Sequence, residues 1–294
     1  MSDHMHRPAA PTSPATIAPL LWPAPLHHVA LGSPDVAALA QFYTDHLDFA
    51  VSGRAGDALA LTGPDRRLVL APGAARQLHY AAFDLTDSAR VARYRAALDR
   101  NQVPMTDFAS PFFDVGSFLV TDPDGNRFVF GSATDDATRY SGRAGRLQHV
   151  VVASQDAERI ASFFAADLGF RVTDWVRDEH GAGTACFLRS DMEHHSFAVF
   201  RAPTARLDHV SFELSGWDDI KHWADHFART GVPIFWGPGR HGPGNNLFIM
   251  ANDPDGNAME FSAEITHHPY PMPAGEWPHV PRTLNLWGAA IMRS

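Results

Sequence analysis

The 294-residue chain contains a single cysteine, Cys186, and so can form no internal disulfide. That scarcity fits a reducing compartment, and a cytoplasmic location is expected. Cys186 lies in the run TACFL and reads as a packed strand residue rather than a nucleophile. No apolar run approaches roughly 18 residues, so no transmembrane helix is expected. The start, MSDHMHRPAAPTSPATIAPLLW, lacks the cationic segment and apolar core of a secretory signal. Its Pro, Ala and Thr content predicts a flexible N-terminal arm over residues 1–24, with His4 and His6 exposed and inert. Basic clusters are also lacking and the net charge is −9, so neither nucleic acid nor an anionic membrane is an expected partner.

What is present is an ordinary globular composition, 45% apolar and 19% charged, with a length suited to about two domains. Seventeen histidines direct attention to metal binding and acid–base chemistry. Comparing the chain with itself is more informative. LHHVALGSPDVAALAQFYTDHLDFAV (26–51) aligns with LQHVVVASQDAERIASFFAADLGFRV (147–172) at an offset of 121, Leu26 falling on Leu147 and His28 on His149. TDPDGNRFVF (121–130) likewise matches NDPDGNAMEF (252–261). The chain is therefore two related halves, with a boundary near 138–144.

Each half divides again. Segments 78–103 and 207–232 repeat the layout of the two openings: a strand, a helix start, about three helical turns and a stop. Asp35, Asp156 and Asp218 stand near helix starts, where a carboxylate can cap free amides and suits the dipole. Leu39, Phe42, Tyr43 and Leu47 recur at helical spacing, as do Ile160, Phe163, Phe164 and Leu168. Short β-like runs follow, with DPDG as tight turns. The expected unit is βαβββ, present four times in an α+β fold, with sheets curving around a cavity.

Glu260 focuses the functional reading. It lies between Met259 and Phe261 in a strand-like run, where a buried carboxylate needs a partner. The first strand of each unit in the second half carries a histidine, His149 in LQHVVV and His209 in LDHVSF. Two imidazoles and a carboxylate are the set that typically holds non-haem Fe(II) with open positions left for substrate and O2. Three separately satisfied core residues are the alternative, disfavoured because all three occupy homologous strand positions. The first half acts as a control: its matching residues are His28, Tyr80 and Val129, which cannot hold iron, so that half reads as structural. His195 in HHSFAVF and His241 in GRHGPGNN lie where a proton shuttle or charge stabiliser could act. Alternation along the strand points only one of the neighbours His194 and His195 inward.

With those residues in place, the second half resembles the type I extradiol ring-cleaving dioxygenases, the catechol 2,3-dioxygenase-like enzymes of the vicinal oxygen chelate superfamily. The resemblance covers about residues 25–270 and is strongest over 147–262. It implies a glyoxalase-like fold of four βαβββ modules paired into two domains. These would be a structural N-terminal pair (25–139) and a metal-bearing C-terminal pair (140–264), with a tail (265–294) wrapping the latter. It implies His149, His209 and Glu260 as ligands of Fe(II), with Mn(II) the other candidate, His195 as acid–base catalyst and His241 as a contact to substrate. The implied partners are a small aromatic vicinal diol and O2, in aromatic hydrocarbon catabolism, and the enzyme is expected to be a homo-oligomer.

One residue departs from the family pattern. A tyrosine that hydrogen-bonds substrate is expected at position 250, where this chain has Met250, and methionine donates no hydrogen bond. Asn245 and Asn246 are candidate donors in the same loop, and Trp236 a candidate pocket wall suited to a flat apolar ring. Met250 leaves open a superfamily metalloenzyme of another reaction type, an isomerase, lyase or transferase, or an O2-using enzyme with an atypical substrate. A metal-free binding protein of the same fold is a third reading, which the intact ligand set opposes.

Overall fold

The structure, a computed structural model, describes residues 14–134, 141–268 and 272–293. A first helix, α1 (Pro14–Leu21), precedes four βαβββ modules. The first comprises β1 (Leu26–Ser33), α2 (Val36–His46), β2 (Ala50–Ala55), β3 (Ala58–Gly63) and β4 (Arg66–Pro72). The second comprises β5 (Gln77–Asp84), α3 (Ser88–Arg100), β6 (Met105–Asp107), β7 (Phe118–Thr121) and β8 (Arg127–Gly131). In the third, β9 (Arg146–Ser154) leads into α4 (Ala157–Ser162), which ends in a π turn over Phe163–Asp167. Strands β10 (Arg171–Arg177), β11 (Gly183–Arg189) and β12 (Phe197–Arg201) follow. The fourth comprises β13 (Arg206–Leu214), α5 (Trp217–Thr230), β14 (Ile234–Arg240), β15 (Leu247–Asn252) and β16 (Ala258–Ala263). The tail adds β17 (Gly275–Pro278) and the single-turn α6 (Pro281–Leu284).

The strand order is β2-β3-β4-β1-β5-β8-β7-β6 in one sheet and β14-β15-β16-β13-β9-β12-β11-β10-β17 in the other. In every module the last strand runs parallel to the first. The first strands of paired modules meet antiparallel at the sheet centre. This topology makes β16, β13 and β9 adjacent, the three strands that carry Glu260, His209 and His149.

Alternation sorts the side chains of the second sheet. Val150 and Val152 of β9, Val210 and Phe212 of β13, and Met259 and Phe261 of β16 enter the main core, which also takes residues from the first half and the helices. Val151 of β9, with Phe187 of β11, Ala198 and Phe200 of β12 and Phe248 and Met250 of β15, belongs to a second apolar cluster. Burying a side chain of this size contributes about 1.5–3 kcal/mol, so a one-residue slip in register would cost both clusters.

Two expectations need amendment. The arm over 1–24 is not flexible throughout: Pro14–Leu21 is helical, Ile17 and Leu21 are fully buried, and the Arg90 guanidinium donates to the carbonyls of Leu20 and Leu21 at the helix end. His4 and His6 lie outside the described residues. Asp35 and Asp156 cap their helices as expected, accepting from Ala38 N and Arg159 N. Asp218 does not, because Gly216 is the N-cap residue of α5 and Asp218 falls inside the first turn. The tail contains short elements, since β17 finds a parallel partner in β10. The expected junction at 139/140 falls within 135–140, outside the described residues.

Candidate metal centre

His149, His209 and Glu260 converge, their ligating atoms all within 4.8 Å of one another. The register accounts for it: Ser211 lies across from His149 on one side and from Glu260 on the other. His149 Nε2 is 3.3 Å from His209 Nε2, and Glu260 Oε2 is 3.2 Å from His209 Nε2 and 3.8 Å from His149 Nε2. Atoms at those separations share a point about 2.0 Å from each, the length of a metal–imidazole bond.

Neighbouring groups determine where the hydrogens sit. Gln148 Nε2 donates to the His195 carbonyl, which turns its Oε1 toward His149 Nδ1. Asp208 Oδ1 accepts from His209 Nδ1 at 2.8 Å. Both Nδ1 atoms are thus committed as donors, and both Nε2 lone pairs face the point between the ligands. Asn246 Nδ2 donates to Glu260 Oε1 at 3.0 Å. Burial drives the His149 pKa down to about 3 despite the Glu260 charge. Burial also opposes ionisation of Glu260, yet the imidazoles of His209 and His241 hold its pKa well below the usual range. Burial would lower His209 too, but hydrogen bonds to Asp208 and Glu260 carry it above its ordinary value. Two lone pairs and a carboxylate converging in a buried site are repulsive without a cation among them, and the donor set fits a divalent metal.

The cavity beside these residues is lined by His195, His241, Trp236, Met250 and Asn246, together with Val151, Phe187, Phe200 and Leu284. The His195 ring centroid is 4.3 Å from that of His149. His241 stacks on Phe248 with centroids 4.0 Å apart, its Nδ1 donates to the Leu284 carbonyl and its Nε2 is 3.8 Å from Glu260 Oε1. Asn245 departs from expectation: it is exposed, with φ 54°, and its carbonyl accepts from Arg240, so it is not part of the cavity wall. Of the pair His194 and His195, the cavity lining takes His195, while His194 is 2% exposed and bonded to Asp174. The first half is plugged at the equivalent place. His28 bonds Ser110 at 2.7 Å, enclosed by Phe113 and Phe112 at ring distances of 4.8 and 5.1 Å.

The tail, expected to wrap this half and help close the pocket, reaches the site through residues the sequence did not single out, Leu284 and Arg293. Arg293 binds Asp208 through two nitrogens at 2.8 and 3.2 Å and lies over the Phe200 and Trp236 rings. Trp236 Nε1 donates to the Ala289 carbonyl. Gln148 and Asp208, each one residue before a ligand histidine, were also overlooked, though an amide and a carboxylate inside apolar strands are themselves signals.

These strands and this ligand cluster define a metalloprotein of the βαβββ type. Residues 25–130 and 146–261 each match the family model described as Glyoxalase/Bleomycin resistance protein/Dioxygenase superfamily, and the chain belongs to that family. It is 27% identical to metapyrocatechase 2 of Cupriavidus necator, over 86% of this chain and 84% of that one. It is also 27% identical to the iron-dependent extradiol dioxygenase of Rhodococcus jostii, over 71% and 78%. Among solved structures it superposes on homoprotocatechuate 2,3-dioxygenase of Brevibacterium fuscum in complex with 3,4-dihydroxyphenylacetate, with TM-score 0.80, 25% identity and coverage of 92% and 91%. Among the described residues, no helix is long and apolar enough to cross a membrane.

Proposed function

We propose that the protein is an extradiol dioxygenase that opens the ring of a neutral catechol with O2, using Fe(II), or alternatively Mn(II), held by His149, His209 and Glu260. The observation that carries this reading is the convergence of two Nε2 lone pairs and a carboxylate on one point beside an apolar, aromatic-walled cavity. The metal supplies open positions where a diol and O2 meet and a charge that favours loss of the diol's proton.

The chain's own residues do the rest. Gln148 and Asp208 keep the two imidazoles turned with Nε2 inward. Asn246 holds one oxygen of Glu260 and leaves the other for the metal. His195 lines the cavity next to His149 and is the group that takes the diol proton and later returns it. His241, fixed by Leu284 and Phe248, presents Nε2 toward the charge that develops on oxygen. Phe187, Phe200, Trp236 and Met250 exclude water and accept a flat ring.

Substrate class follows from charge. Arg293 is the cation at the cavity, and Asp208 already engages it through both oxygens. Among the described residues the cavity thus offers a carboxylated ring no unengaged cation, so alkyl- or aryl-substituted catechols are the fitting class. The test is turnover by anaerobically Fe(II)-loaded protein of 3-methylcatechol, 2,3-dihydroxybiphenyl and 3,4-dihydroxyphenylacetate, followed by the absorbance of the yellow ring-opened product. Turnover of the two neutral diols in preference to the acid is expected. Preference for the acid would overturn the substrate class, and inactivity on all three would overturn the reaction.

A further inference from the structure

Behind His195 runs a buried chain of hydrogen bonds that reaches the tail. Trp277 Nε1 on β17 donates to Asp174 Oδ2 on β10 at 2.8 Å. His194 Nε2 is 2.9 Å from the same oxygen. His194 Nδ1 is 2.9 Å from His195 Nδ1. Asp174, His194 and His195 are 9%, 2% and 3% exposed. Gly275 lets β17 lie this close, since a Cβ there would fall 2.2 Å from Asp174 Oδ1.

The hydrogens in this chain can be assigned one by one. A carboxylate only accepts, so His194 Nε2 carries hydrogen. When that ring carries one hydrogen, its Nδ1 is bare and accepts. The hydrogen between the two rings therefore belongs to His195 Nδ1. His195 Nε2 is left bare on a ring that lines the cavity. The opposite tautomer would present an N–H to the cavity and could take no proton there.

We propose that Asp174 and His194 are positioning residues that lock His195 in the tautomer whose bare Nε2 faces the substrate. Trp277 completes the device by holding the Asp174 oxygen in place, which gives the tail strand β17 a part in organising the site. The inference rests on the reading of His195 as the acid–base group. A correctly placed general base contributes about 10²–10⁴-fold to rate, and losing its tautomer forfeits most of that.

The direct test is the 15N spectrum of histidine-labelled protein loaded with diamagnetic Zn(II), with His195→Gln assigning the signal. The wild-type protein should show His195 protonated at Nδ1 and bare at Nε2. His194→Asn, whose amide oxygen can stand near the lost Nδ1, should retain that tautomer, and His194→Leu should lose it. In the Fe(II)-loaded enzyme, His194→Leu should lower kcat about 100-fold with KM little changed, and His194→Asn should stay within about tenfold of wild type. A wild-type His195 protonated at Nε2 would overturn the proposal, whether or not any variant folds. So would a His194→Leu protein with unchanged tautomer and kcat. If the tautomer is as expected but no catechol is opened, the positioning role stands and the dioxygenase reading fails.

Discussion

Met250 stands directly across the β15–β16 ladder from Glu260, and both residues are 1% exposed. Trp236 pairs with Met250 on its other side. The side chain beside the proposed carboxylate ligand is thus a thioether between an anion and an indole. It lines the cavity and has no hydrogen to donate.

Replacing it should therefore change the chemistry seen by substrate. Met250→Tyr places a hydroxyl beside the metal site and is expected to raise kcat on unsubstituted catechol about tenfold, the effect of one hydrogen bond worth roughly 1.4 kcal/mol. Bulky catechols should lose activity as the ring fills the cavity. Steady-state kinetics on both classes check this, and equal effects on both would place Met250 away from the substrate.

Asp208 accepts from His209, a proposed metal ligand. Asp208→Asn should weaken metal affinity about 10–100-fold, because an amide can present N–H to His209 Nδ1 and forfeits the Arg293 charge. Competition with a chelator measures it. A folded variant with wild-type affinity would show that the carboxylate does not set the ring.

The tail closes the site tightly. Its Leu284 and Arg293 line the cavity beside the ligand cluster. Arg293→Ala should speed substrate binding in stopped-flow mixing and lower stability by about 1–3 kcal/mol through loss of its bonds to Asp208. Unchanged binding rates would show that access runs by another route.

Much of this was legible in the sequence because strands report with period two. Val150, His149 and Val151 alternate between core and cavity, and the offset between Leu26 and Leu147 exposed the modules and set the proposed ligands against His28, Tyr80 and Val129 of the first half. Contacts between distant segments left no such trace. Arg293 meets Asp208 across the length of the catalytic half, and Asp174 meets His194 through sheet order rather than spacing. His194 and His195 both precede β12, and of the two only His195 lines the cavity. The Pro-rich composition around α1 hid a helix that tertiary packing of Ile17 and Leu21 stabilises.

Glu213 makes stability depend on pH. Burial, reinforced by the Glu193 charge, pushes its pKa from 4.5 up to about 7, although Ser262 and the Ile265 amide donate to it. The folded state therefore favours the protonated form. Its contribution is complete below the unfolded value and is lost as pH rises through about 7. Glu213→Gln should raise Tm relative to wild type at pH 8 and by much less at pH 5. An equal difference at both values would contradict this.

The central claim is O2-dependent ring opening at His149, His209 and Glu260. It is tested most directly by measuring O2 consumed per catechol opened, with anaerobically Fe(II)-loaded wild type beside Glu260→Gln. The expected result is one O2 per ring for wild type, with metal retention and O2 uptake lost together in the variant. Ring opening without O2 uptake, or full activity in Glu260→Gln, would contradict it.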